Sequence, residues 1–377
     1  MLAPSSRRAL HALPCADGSA DLPTQLGLPP FAPRFPWLNG DLQTLRDTLR
    51  PVPLPVDAGQ PVLIEVGQGD QLLALLDPPL PSAAGSRGLV LLMHGLGGSS
   101  DRGGLRRMGD TLQRAGFAVL RLNMRGAGGG RPLARGTYAA NSNRDLLPVL
   151  RRARALAAGG PLLGMGISLG GTKLLNALVA SEAERRAAGL DPETPLLDGL
   201  VTISSPLDLR VCSEQIERPR NRIYERWLLK RLIAQTLADP YGVLDAEREA
   251  LEGRAAQGPL RSIRAFDAAI TAPRWGYASV EHYYREASPL PRLLALGAAA
   301  TGGKPFPPAL IVHAEDDPWV PVAAARQLQA AALPGVEVLL TPLGGHNGFH
   351  GSADGPASRG GCWTDRLTAC WFQRLIA

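Results

Sequence analysis

The chain has 377 residues, 45% of them hydrophobic and 20% charged, with 43 glycines and 34 prolines. That length buries a sizeable core without staples, and four scattered cysteines (Cys15, Cys212, Cys362, Cys370) with no CxxC pair exclude a disulfide framework and a finger-type zinc site. The net charge of +6 comes mostly from arginines scattered along the chain, not gathered beside aromatics, so no nucleic-acid surface is expected.

No apolar stretch reaches the roughly 18 residues that a membrane-spanning helix requires. Arg7 and Arg8 have no apolar segment behind them, so no secretory signal is read in 1–20. The expectation is a soluble cytoplasmic protein, monomer or homodimer, without stable membrane insertion.

Residues 1–60 are proline-rich and aperiodic, and are expected to wrap a larger body as a leader. Within them, 37–49 has a helical pattern. The run Gly88–His94 is continuously apolar and reads as a strand buried on both faces. A helix over 104–115 follows, then a strand over 117–123, a helix over 143–157, a strand over 161–167 and a helix over 169–187. Strands at 196–203, 309–313 and 336–341, with a helix over 322–332, complete the alternation. Such alternation predicts a parallel sheet covered by helices on both faces. The core is thus expected over 61–209 and 306–377.

Residues 210–305 interrupt it and show no strand pattern. Helices are expected over 214–238, with Ile223, Trp227, Leu228 and Leu232 packing inward and Arg222, Arg226 and Lys230 solvated. The segment is placed where a lid or cap could sit.

Chemistry concentrates around Gly164-Met-Gly-Ile-Ser-Leu-Gly-Gly-Thr-Lys173, which leaves a strand and enters a helix. A dinucleotide fingerprint fails because Leu169 stands where the third glycine belongs, and a P-loop fails because Thr172 stands where lysine belongs. The pattern that fits is G-x-S-x-G, from Gly166 through Ser168 to Gly170. A strand turning sharply into a helix strains the residue at the turn, so its neighbours two positions away must be small. Ser168 is then exposed as a nucleophile, and the Leu169 N–H at the helix start faces any negative charge that develops.

A serine needs a base and the base an orienting carboxylate. Among six histidines, His346 is the best placed, after two glycines in the loop leaving the last strand. His350 is weaker, and a His346/His350 metal pair is the minor alternative. Glu315, Asp316 and Asp317, in the loop after the 309–313 strand, are the candidate acids. The turn His94-Gly-Leu-Gly-Gly98 can supply a second oxyanion N–H, from Leu96. Gly126–Gly130 reads as a flexible loop near the site.

These residues resemble the α/β-hydrolase fold superfamily, and within it the branch of bacterial YheT-like hydrolases and animal ABHD-type lipases. The resemblance spans about residues 35–350 and rests on 41–45, His94-Gly-Leu-Gly-Gly-Ser99, Asn123-Met-Arg-Gly126 and Gly166–Gly171, with Tyr283-Tyr-Arg-Glu-Ala-Ser288, Asp316-Asp-Pro318 and Gly344–Phe349. It implies a mostly parallel sheet with a helical cap inserted between late strands, and a triad of Ser168, Asp317 and His346. Asp317 is favoured because similar enzymes place the acid four residues before a proline, here Pro321. Relatives carry Pro-His where this chain has Gly40-Asp41. The implied activity is hydrolysis of a small-molecule ester or acyl lipid without cofactor or metal; acyl transfer, or binding without catalysis, are the alternatives.

Overall fold

The computed structural model describes residues 21–377 except 52, 81–85, 257, 299–305 and 355–360. Its centre is one eight-stranded sheet: β1 (Gln60–Gly67), β2 (Asp70–Asp77), β3 (Leu89–Met93), β4 (Ala118–Leu122), β5 (Leu162–Ile167), β6 (Gly199–Ile203), β7 (Ala309–Ala314) and β8 (Val336–Thr341). The spatial order is β1-β2-β4-β3-β5-β6-β7-β8. β2 runs antiparallel to β1 and β4, and every pairing from β4 to β8 is parallel.

The apolar runs form strands because both faces of the sheet are covered. Along β3, Leu91 and Met93 enter one hydrophobic cluster while Val90 and Leu92 enter the other, as period-two geometry requires. Helices Asn143–Leu156 and Leu169–Leu178 cover the first face; Gly103–Arg114 and Trp363–Leu375 cover the second.

Outside the segment between β6 and β7, four features differ from the sequence expectation. The β1–β2 hairpin is additional: β1 is an edge strand whose alternate residues face solvent, so it lacks the continuous apolar run of the others. Helix Trp363–Leu375 is additional too. The expected helix over 169–187 is broken in two, because Ser181 caps a new helix, Glu182–Ala187, through a capping box with Glu184. Gly128–Leu133 forms a hydrogen-bonded 3-10 turn.

The described residues before β1 lie along the second face. Trp363 Nε1–H donates to Pro29 O at 2.9 Å, and Gln43 bonds the His350 backbone in both directions. The residues before β1 form the short helix Leu22–Gln25 and the helix Gly40–Leu49, the latter capped by Asn39.

The described residues between β6 and β7 contain helices and turns, including Leu209–Ile216, Arg222–Leu237 and Val280–Ala287. Ile216, Leu228, Leu232, Ile263 and Phe266 share a small separate core. The inward face of Arg222–Leu237 is Glu225, Leu228, Leu229, Leu232 and Thr236. Ile223 and Trp227 instead point outward, 80% and 46% exposed, on the side that carries Arg222, Arg226 and Lys230. The apolar stripe is therefore rotated by about one residue, and Trp227 lies at the rim of a cavity beneath the Arg231 guanidinium, 4.8 Å from its ring. Among the described residues no helix is long and apolar enough to cross a membrane.

Candidate active site

β5 ends at Ile167 and the next helix begins at Leu169, which leaves Ser168 alone to make the turn, at φ 52° and ψ −125°. A non-glycine residue rarely adopts such angles, and the surroundings hold it there. A Cβ on Gly166 would collide with the Gly171 backbone, and one on Gly170 would lie 2.5 Å from Met93 O. Both glycines are required by close packing.

Three loops converge on this turn. The Ser168 hydroxyl donates to His346 Nε2 at 3.0 Å, and His346 Nδ1–H donates to Asp317 Oδ2 at 2.8 Å. The other Asp317 oxygen accepts the N–H groups of Trp319 (2.8 Å) and Val320 (3.0 Å). Burial alone would raise the Asp317 pKa, but the charge and hydrogen bond of His346 outweigh it and hold the carboxyl below its ordinary value.

The structure also separates the neighbouring acids. Asp316 accepts the Gly345 N–H at 2.8 Å and so fixes the histidine loop; Glu315 pairs with Arg326 at the surface. The His346 N–H donates to Thr44 Oγ1 at 2.8 Å, which ties the leader helix to the site. Trp319 lies against the imidazole, ring centres 4.4 Å apart. The alternative metal pair is not assembled: His350 turns to Asp47 at 3.2 Å, while His346 serves Ser168 and Asp317. Asp41 bonds Arg220 and Tyr224, so the position that departs from the resembled pattern contacts the helices between β6 and β7.

His94 closes β3 as a neutral ring. Burial pushes its pKa down to about 4, the Met124 N–H donates to Nε2 at 3.2 Å, and Nδ1–H donates to Gly95 O at 2.8 Å. This pair of bonds shapes the following turn. Gly97 N–H is spent on Tyr138 Oη at 2.7 Å and Gly98 N–H on Gly95 O, whereas among the described residues no acceptor meets the Leu96 N–H. Leu169 is the first helical residue, so its N–H has no intrahelical acceptor either. Both residues line a cavity of about 750 Å³ that also holds Ser168 and His346. Its walls there are largely apolar, including Leu209, Leu228 and Phe266.

Tyr138 and Arg231 carried no sequence signal: neither belongs to a motif, and long-range packing alone brings them to Gly97. Thr44 had one, as part of the Leu-Gln-Thr segment. His11 lies outside the described residues.

A sheet of this order with a strained serine after β5 defines a class. The family model for the alpha/beta hydrolase fold matches residues 88–353, and the chain belongs to that family. Within it, the chain is 29% identical over 293 residues to phospholipase ABHD3 of Mus musculus, covering 78% of this chain and 65% of that protein. It is 30% identical over 274 residues to YheT of Escherichia coli, covering 72% and 73%. The chain thus spans under two thirds of the length of the phospholipases it matches. The resemblance to the YheT/ABHD branch is borne out. A monoglyceride lipase structure from Saccharomyces cerevisiae shares the fold, with a TM-score of 0.51 and 19% identity over 86% of this chain and 97% of that one.

Proposed function

We propose that this chain is a serine hydrolase that cleaves a carboxylic ester through an acyl-enzyme on Ser168. The observation that carries the reading is the hydrogen-bonded relay from Ser168 to His346 at 3.0 Å and on to Asp317 at 2.8 Å. Ser168 Oγ attacks the ester carbonyl while His346 Nε2 takes its proton. Asp317, held by the amides of Trp319 and Val320, keeps Nδ1 protonated and stabilises the imidazolium. The N–H groups of Leu96 and Leu169 receive the oxyanion, each donor worth about 3 kcal/mol in a dry site. His346 returns the proton to the departing alcohol, and a water activated by the same imidazole releases the acid.

Apolar cavity walls and a phospholipase relative support an acyl-lipid or other small-molecule ester as substrate. In this reading 1–60 is a leader, 61–209 with 306–377 the hydrolase core, and 210–305 a cap that shapes the acyl pocket. The free thiols Cys212, Cys362 and Cys370 suit a cytoplasmic setting.

The test is turnover of p-nitrophenyl esters. Ser168→Ala should lose at least about a thousandfold in kcat with its thermal midpoint little changed. Equal rates for the two proteins would sink the mechanism, and lack of a fluorophosphonate adduct at Ser168 would favour a binding protein. Added ethanol separates hydrolysis from acyl transfer, since transfer yields an ethyl ester in place of the free acid.

A further inference from the structure

The cavity has an acidic group that the hydrolytic relay does not use. Asp267 opens a single π-helical turn, Asp267–Thr271, and lines the cavity together with Thr271, Tyr283, Tyr284 and Tyr138. π-turns interrupt a helix at some energetic cost and often mark functional positions. One oxygen of Asp267 accepts the Tyr284 O–H at 2.9 Å.

Asp267 is half-buried and, like the buried Glu225, has no countercharge among the described residues. Asp70, Asp77, Asp145, Asp239, Asp354 and Asp365 are buried and each meets an arginine; Asp317 meets His346. Among the described residues no cationic side chain pairs with Asp267. Arg264, over the Tyr284 ring at 5.9 Å, is paired with Glu281 instead. Burial pushes the Asp267 carboxyl up to about 6, against hydrogen bonds from Thr271 and Tyr284 that lower it, and no cationic side chain among the described residues offsets its charge.

The surroundings are aromatic, and the one ammonium among them, Lys173 Nζ at 5.9 Å from the Tyr138 ring centre, is held by Ala139 O. The rings of Tyr283 and Tyr284 lie 5.4 Å apart. Tyr283 Oη is fixed by the Ala140 N–H at 2.9 Å and Tyr138 Oη by the Gly97 N–H, so these rings are held as walls. Aromatic faces and a desolvated carboxylate both attract ammonium groups, and more strongly where water is excluded. Tyr138 also connects this wall to the serine: its phenol grips the turn beside Leu96, and burial with the nearby Asp267 charge raises its pKa to about 12.

We propose that Asp267, with Tyr283, Tyr284 and Tyr138, forms a subsite for a cationic group on the substrate, an amine or quaternary ammonium. This deepens the hydrolase reading and rests on it only for turnover.

The experiment compares a choline ester with the 3,3-dimethylbutyl ester of the same acid, in which carbon replaces the charged nitrogen, at about pH 8. Wild type should favour the choline ester in kcat/KM by at least about tenfold. Asp267→Asn should abolish that preference while changing the neutral ester by no more than about threefold. Equal rates on the two esters in wild type, or equal losses on both in Asp267→Asn, would overturn the subsite. Calorimetric binding of hexyltrimethylammonium to the Ser168→Ala protein needs no turnover and no folded Asp267 variant. It should be at least about tenfold tighter than hexanol, and equal or weaker binding overturns the proposal even if esters are cleaved.

Discussion

In the sheet, Val90, Leu91, Leu92 and Met93 are wholly inaccessible, and Ser168, Asp317 and His346 hang from the ends of β5, β7 and β8. Of the helices between β6 and β7, Val280–Ala287 packs into the sheet's own core, whereas around Arg222–Leu237 a separate cluster holds Leu228, Leu232 and Ile263 at 4%, 6% and 9% exposure, and polar links tie that helix and the turn after it to the loops at the sheet's end. Arg231 holds Gly97 O, Gln235 holds Gly126 O, and Asp239 accepts the Gly136 N–H. Close packing gives the relay a rigid base. Hydrogen bonds at a cavity rim break singly and cost about 1 kcal/mol each, so the expectation is that the Arg222–Leu237 helix opens at lower cost than the sheet.

The largest difference should appear in core truncations. Leu91 is flanked by β4 and β5 and has no room to be replaced by solvent, so Leu91→Ala should cost about 3–5 kcal/mol in urea unfolding. Leu228→Ala, in the smaller cluster, should cost about 1–2 kcal/mol and alter KM more than stability. Equal costs at the two positions would break the contrast between a rigid sheet and a yielding cover.

A second test uses pH. His94 is neutral in the fold with its pKa lowered to about 4 from an ordinary 6.5. Below 6.5 the unfolded chain binds a proton that the folded chain refuses until about 4, so stability is full above 6.5 and falls as pH drops through that window. The loss attributable to His94 is about 3 kcal/mol by pH 4. Burial pushes His313 and His350 the same way, so the wild-type decline is steeper than His94 alone would give. His94→Gln should flatten the urea midpoint between pH 7 and 4 relative to wild type, and parallel curves would refute the assignment.

The parts legible in the sequence are those that short-range rules specify. Strands β3 to β7 are legible as apolar runs, because burial on both faces leaves little place for polar alternation. The Ser168 turn was readable because its sterics demand glycine at fixed offsets. β1 was not, since a half-exposed edge strand containing Pro61 looks like the leader before it. The outward turn of Ile223 and Trp227 was hidden for a different reason. A helix with apolar residues on two sides offers two candidate inner faces, and the choice falls to the side that packs on Ile216, Leu251, Ile263 and Phe266, residues distant in sequence. Asp316 and Asp317 are adjacent in sequence, and only the path of the histidine loop assigns one to Gly345 and the other to His346.

The smallest expected effect tests the joint between the two regions. Arg231 reaches Gly97 O with two nitrogens, Nε at 3.1 Å and Nη2 at 2.5 Å, while Tyr138 holds the N–H of the same residue. Gly97 follows Leu96, so any drift of this peptide misdirects the proposed oxyanion donor. Arg231→Ala should lower kcat by about tenfold, with KM and thermal midpoint nearly unchanged, because the side chain acts by positioning an amide rather than by filling the core. Arg231→Lys retains the charge but cannot form the fork, and should restore little of the rate. Full activity in both variants would mean that Tyr138 and His94 hold the turn unaided, and that the helical cover has no part in setting the geometry of the reaction.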